Sequence, residues 1–210
     1  MRIDVRDNFA QVKGDLDRLQ RDIREQAIAR ALNRTAEQAR TAMVRTITSE
    51  FAIKASEVRP LLSIRQARGG AFGSALEATL EALRGRRGRG LNVIRFGARP
   101  APGRGRKLVK FRGSRGWAQR VVPVGGGVAV RIKKGSGRKT IAHAFIGNDG
   151  RTVFIRTGDE RLPIRGVTTV DVPQMFNTKR INAAVVKVIR EKFPEILARE
   201  TRFYVERFGR

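Results

Sequence analysis

GVAVRIKKGSGRKTIAHAFIGNDGRTVFIR, residues Gly127–Arg156, is the stretch on which the fold turns. Three runs rich in β-branched and aromatic residues, Gly127–Ile132, Thr140–Ile146 and Thr152–Arg156, are separated by Lys133-Lys134-Gly135-Ser136-Gly137 and by Gly147-Asn148-Asp149-Gly150. Gly, Ser, Asn and Asp between such runs form turns, because they adopt left-handed or locally hydrogen-bonded backbone at little cost. The spacing predicts three strands joined as an antiparallel meander.

Helical patterns flank this sheet. From about Phe9 to Thr48 the apolar residues recur at helical spacing, from Val12, Leu16, Leu19, Ile23, Ala27 and Ala31 to Ala36, Ala39, Met43 and Ile47. They predict one long amphipathic helix whose Ala-rich second half lets another element come close. Ser56 is expected to cap a short helix through Glu57 and Val58, with Pro60 early in it and Leu61, Leu62 and Ile64 as a small apolar cluster. Beyond Gly69 and Gly70, SALEATLEAL places Leu76, Ala78, Leu80 and Ala82 on one face of a strand, the reading preferred over a helix with Leu76, Leu80 and Leu83 on one side.

Past Pro163 and Pro173, Asn177 or Thr178 caps a second long helix. Its stripe is Ile181, Val185, Val188, Ile189, Phe193, Ile196, Leu197, Phe203, Tyr204 and Phe208, with a break or kink expected at Pro194. The fold class is therefore α+β: a long N-terminal helix, a small antiparallel β-sheet with a basic Gly/Arg-rich arm, and a long C-terminal helix. At 210 residues the chain is long enough to bury a core, and one domain over 1–210 is expected.

Charge is the dominant compositional feature. The chain holds 45 Lys and Arg against 19 acids, for a formal net charge of +26. No acid lies between Ala82 and Asn148, where 18 of the cations fall. Within that stretch Arg84–Trp117 is rich in Gly and Arg, as in Gly85-Arg86-Arg87-Gly88-Arg89-Gly90 and Gly103-Arg104-Gly105-Arg106-Lys107, and reads as a loop or arm. Leu91–Phe96 is the one clear apolar run inside it and is read as a strand. Guanidinium groups on a flexible backbone track phosphates or dock on an acidic protein surface, and Phe96, Phe111 and Trp117 add stacking or partner contact. The candidate contact residues are Arg84, Arg86, Arg87, Arg89, Arg104, Arg106, Lys107, Lys110, Arg112 and Arg115.

Few residues offer catalysis. There is no Cys, which excludes disulfides, thiol nucleophiles and Cys-ligated metals. The single histidine, His143, lies in a predicted strand without a carboxylate near it in sequence, so a structural role is expected. Asp15, Asp17, Asp22 and Glu25 alternate with Arg18, Arg21 and Arg24 as on a solvated helix face. Asp159-Glu160 sits in a turn between Arg156 and Arg161, and Gly135–Thr140 lacks the Gly-Lys-Thr order of a phosphate-binding loop. No catalytic, metal or cofactor site is expected. Asp4 and Asp7 interrupt any leader-like run and no stretch of about 18 apolar residues occurs, so a soluble, cytoplasmically made chain is expected, without a membrane partner.

Six segments carry a family likeness in order: Ala31-Leu32-Asn33-Arg34-Thr35-Ala36, Ile53-Lys54-Ala55-Ser56-Glu57-Val58-Arg59, Ala144-Phe145-Ile146, Val153-Phe154-Ile155-Arg156, Arg161-Leu162-Pro163-Ile164 and Val172-Pro173-Gln174-Met175-Phe176. Through them the sequence resembles the minor tail protein Z family, the tail-completion proteins of long-tailed bacteriophages. It departs from the family at Gly166-Val167-Thr168-Thr169-Val170, where a Gly-Pro-Ser-like turn is usual, and in its unusually basic arm.

The resemblance implies a non-enzymatic virion protein at the head-proximal end of the tail, assembled in the host cytoplasm and contributing to head-tail joining. It implies a homo-oligomeric ring with tail terminator, tail tube and connector proteins as neighbours. In this picture the helices and sheet form the wall, and the basic arm faces genomic DNA in the lumen or clasps an acidic neighbour. The alternative from composition is a sequence-nonspecific nucleic-acid-binding protein.

Overall fold

The computed structural model describes residues 21–68, 76–83, 90–103, 105–113, 116–124, 126–158 and 160–208. They fall into two compact units, one within Met1–Ile47, Val58–Arg84 and Val172–Arg210, the other within Thr48–Glu57 and Gly85–Asp171.

The first unit is built on two long helices, α1 (Arg21–Glu50) and a C-terminal helix, Lys179–Phe208. On α1 the small-residue stripe is the buried face, with Ala27, Ala31, Ala36, Ala39, Met43 and Ile47 all buried. Tyr204 packs on Ala27 beside Ile23 and Val205, whereas Ile196 and Leu197 pack on Ala31 beside Ile28 and Phe193. Residue numbers rise on one helix as they fall on the other, so the pair is antiparallel. Alanine has no side chain beyond Cβ to hold the helices apart, which is why large residues on one side meet small ones on the other. The expected start of α1 at Phe9 lies outside the described residues.

Between these helices in sequence come α2 (Ala55–Val58), a 3₁₀ turn at Arg59–Leu61, and two strands, β1 (Leu62–Arg65) and β2 (Thr79–Ala82). Helix α2 begins at Ala55, so Ser56 lies inside it and is not its cap. Pro60 is accommodated because it sits in the first residues of the 3₁₀ turn, where no N–H is needed. Strands β1 and β2 pair antiparallel from Leu62 opposite Ala82 to Arg65 opposite Thr79. A short helix, α3 (Val172–Phe176), precedes α4 (Lys179–Phe208). Helix α4 continues through Pro194, so the proline does not end it; it removes one N–H from the ladder.

The second unit is mostly β. Its strands are β3 (Arg99–Ala101), β4 (Gly105–Gly113), β5 (Gly116–Val124), β6 (Gly127–Val130), β7 (Lys139–Ala142), β8 (Ala144–Gly147), β9 (Thr152–Arg156) and β10 (Ile164–Gly166). They form three antiparallel sheets, ordered β3-β6-β7, β10-β9-β8 and β4-β5. Leu91, Val93, Phe96, Val128, Val130, Ala144 and Val153 are its buried apolar residues, with Phe51 and Ile53 after α1.

Two expectations are corrected here. Thr140–Ile146 is not one strand: His143 adopts a left-handed backbone (φ 59°) and divides it into β7, paired with β6, and β8, paired with β9. The meander is thus two hairpins in two sheets. Leu91–Phe96 is not a strand either, because the Asn92 side chain accepts a hydrogen bond from the Ile94 N–H at 3.1 Å and starts a 3₁₀ turn over Val93–Phe96. Asn competes for backbone donors in this way, and so breaks extended runs.

At its start this segment meets Val167–Thr169: the Val93 N–H donates to the Val167 carbonyl at 3.1 Å and the Thr169 N–H to the Leu91 carbonyl at 2.8 Å. The approach requires glycine at position 90, where a Cβ would stand 1.8 Å from the Thr169 carbonyl oxygen. Gly90→Ala is expected to cost about 2–3 kcal/mol, since backbone must move to admit the methyl. Urea unfolding followed by circular dichroism would read it as a lower midpoint at unchanged slope. A midpoint equal to that of the parent protein would show that the close approach contributes nothing.

Candidate functional site

The arm expected over 84–117 contains regular structure. Gly105–Gly113 forms β4 and pairs with β5, Gly116–Val124, in a ribbon of nine-residue strands running from Gly105 opposite Val124 to Gly113 opposite Gly116. Of the ten cations expected to make contacts, Arg106, Lys107, Lys110 and Arg112 lie on β4. The other six, Arg84, Arg86, Arg87, Arg89, Arg104 and Arg115, lie outside the described residues.

Residues directly opposite in an antiparallel pair share a face, as do residues two apart along a strand. Lys110 stands opposite Gln119 and Arg112 opposite Trp117, so Leu108, Lys110, Gln119 and Trp117 belong to one face. All four are exposed, Leu108 at 59% and Trp117 at 76% of their possible surface. An apolar side chain that size left in water has an unfavourable free energy of roughly 1.5–3 kcal/mol relative to burial, which binding can recover. Trp117 is the only tryptophan in the chain.

The three aromatic residues expected to aid contact therefore separate. Trp117 is presented outward, Phe96 is 1% exposed in the core and is corrected to a packing residue, and Phe111 takes the register position opposite Ala118. Strand β5 was missed by sequence reasoning, with Arg120 on it. Its signal was the β-branched run Val121-Val122 following Gly113-Ser114-Arg115-Gly116, a turn composition between two extended stretches. Further exposed cations in the same unit include Arg99, Lys133, Lys134, Arg138 and Lys139, none of them among the ten candidates. Arg138 donates to the Gly97 carbonyl at 3.0 Å.

The helical unit has its own polar cluster. Glu200 is buried, yet its carboxylate receives Arg34 Nη1 at 2.6 Å, with Arg30 Nε and Arg199 Nε each at 3.6 Å. Arg30 also donates to the Tyr204 hydroxyl at 3.5 Å and lies 5.6 Å from the Phe203 ring centre. The Arg30 pKa is raised above its ordinary value, first by the Tyr204 hydrogen bond. That of Lys192 is raised by its hydrogen bond to Glu195. Near the cluster an open cleft of about 370 Å³ is lined by Asn33, Arg34, Glu37, Gln38, Gln66 and Arg199. Four of its polar groups are engaged: Arg34 and Arg199 with Glu200, Glu37 with Arg40, and Asn33 with Ala67 through paired bonds of 2.8 and 3.0 Å. This arrangement stabilises a helix pair and offers no nucleophile with an adjacent base.

His143, at the sheet junction, is exposed and its backbone N–H donates to the Gly126 carbonyl at 3.2 Å. Among the described residues no group of three His, Asp or Glu side chains is placed to hold a metal ion. Among them, too, no helix is long and apolar enough to cross a membrane.

Compared with known proteins, residues 10–209 match the family model of prophage minor tail protein Z. Neither a curated protein nor a solved structure matches the chain.

Proposed function

Because the chain belongs to the prophage minor tail protein Z family and is thus a structural protein of a phage tail, we propose that it acts as a tail-completion subunit, forming a homo-oligomeric ring at the head-proximal end of the tail and contributing to head-tail joining. The family match across 10–209, which spans both compact units, carries the reading. The fold supports it in two ways. Two packed helices supply a rigid body, and a basic ribbon with exposed Leu108 and Trp117 supplies a surface suited to association. Heterologous contacts between identical subunits close into a ring when the rotation permits, burying surface that one copy leaves in water.

The ring wall is assigned to the helices and sheets, with tail terminator, tail tube and connector proteins as neighbours. The basic segment meets a polyanion, either an acidic neighbour or genomic DNA in the lumen. The strong positive charge between Ala82 and Asn148 also favours a second reading, a sequence-nonspecific nucleic-acid-binding protein.

Antibody labelling of intact particles under the electron microscope separates the two. Label at the head-tail joint is expected; particles without label, with the protein copurifying with free nucleic acid, would favour the second reading. Reversing charge at Arg86, Arg87, Arg104 and Arg106 together is expected to lower infectious titre about tenfold or more, through failed assembly or loss of DNA retention. Full titre from that variant would remove the basic segment from the mechanism.

A further inference from the structure

We infer that the exposed face and free edge of the β4–β5 ribbon dock on an acidic β-strand of a neighbouring virion protein, with Trp117 as the apolar anchor; this rests on the tail reading above. Three features of the ribbon point the same way.

Among the described residues its two strands pair only with each other, so each presents an edge that no described strand covers. A lone two-stranded hairpin is marginal in water and gains from a third strand, which adds main-chain hydrogen bonds along the edge. The two edges are not equivalent. Strand β5 contains Pro123, which lacks an N–H and blunts strand addition, whereas β4 has none.

Charge then selects what pairs with β4. Arg106, Lys107, Lys110 and Arg112 fall within its nine residues, and no acid occurs from residue 83 to 147. Lysines on an edge oppose pairing with a second copy, because like charges directly across a ladder repel. The same edge accepts a strand bearing Asp or Glu.

The face supplies the rest. Leu108 and Trp117 flank Lys110 and Gln119, an apolar pair around polar groups. Tryptophan with a cationic rim is the composition of a protein-binding hot spot. Duplex phosphates would satisfy the cations but offer nothing to Leu108 or to the free edge, so an acidic protein strand fits more of what is exposed.

Incorporating the photo-crosslinking residue p-benzoylphenylalanine in place of Trp117 tests this in assembled particles, with the same residue in place of Leu162, 63% exposed, as a control. Irradiation is expected to join position 117, and not 162, to another virion protein, within a segment that alternates acidic and apolar residues. Lys110→Glu should cut adduct yield about tenfold, the equivalent of roughly 1.4 kcal/mol, and Lys110→Arg should retain it. An adduct with packaged DNA, an adduct between two copies of this chain, or particles that contain the chain but yield no adduct at 117 would each overturn the inference and leave the tail reading standing. Particles that lack the unsubstituted chain would overturn the tail reading and this inference with it.

Discussion

Replacing Arg34 with Met is expected to lower the unfolding free energy by about 3 kcal/mol, and adding Glu200→Met to it should restore most of that loss. The asymmetry follows from burial. Arg34 keeps 46% of its side-chain surface in water, whereas Glu200 keeps 4%. Losing the arginine therefore removes the nearest counter-charge from a carboxylate that water does not reach, leaving Arg30 and Arg199 at 3.6 Å as weaker partners. Losing both groups replaces an ion pair by apolar packing between α1 and α4, which is often neutral. Urea unfolding of the two single variants and the double variant gives the coupling directly. If Arg34→Met unfolds within about 0.5 kcal/mol of the parent protein, Glu200 is not held as described.

The second large effect is expected at Asn92 in the β unit. Its side-chain amide donates to the Val153 carbonyl at 3.1 Å and accepts from the Val153 N–H at 3.0 Å, serving both backbone groups of a fully buried residue on β9. Asn92→Asp keeps the shape but substitutes an acceptor for the donor, setting an oxygen against the Val153 carbonyl. A loss of about 2–3 kcal/mol is expected: the Val153 carbonyl keeps the Val167 N–H at 2.9 Å but loses its second donor and faces a carboxylate oxygen instead. Hydrogen exchange at the Val153 amide is the sharpest readout, and unchanged protection there would contradict the role. Asn33 clamps Ala67 with the same bond pattern, so Asn33→Asp is expected to weaken the helical unit in the same direction.

These two asparagines show where sequence reasoning reached and where it stopped. Periodicity found the helices, because Ala27, Ala31, Met43 and Ile47 on α1, and Ile181, Val185 and Ile196 on α4, are buried at the spacing that one helix face demands. Turn composition found the strands around Gly135 and Asn148, and the register Val128 opposite Ile141 and Ile146 opposite Val153 places those runs as hairpins. Side-chain clamps leave no periodic trace: Asn33 and Asn92 reach across 34 and 61 residues of sequence to their partners. The ribbon was obscured for a different reason. Gly and Arg are abundant in 84–117 and signal a solvated loop, whereas cross-strand pairing of Leu108 with Val121 and Phe111 with Ala118 organises part of it into strands.

His143 has one more effect on the second unit. Because the chain passes from one sheet to the next through a single left-handed residue, the pairing of β6 with β7 and that of β8 with β9 are set separately. A slip by one residue in either hairpin would reverse which side chains face inward there, but it would stop at this residue and leave the other hairpin aligned. Lys133 and Lys134 are tied by backbone pairing to Phe51 and Glu50, so a change of length in the Lys133–Gly137 turn is expected to be absorbed at Gly135–Gly137 and to leave the strand that carries Val153 aligned.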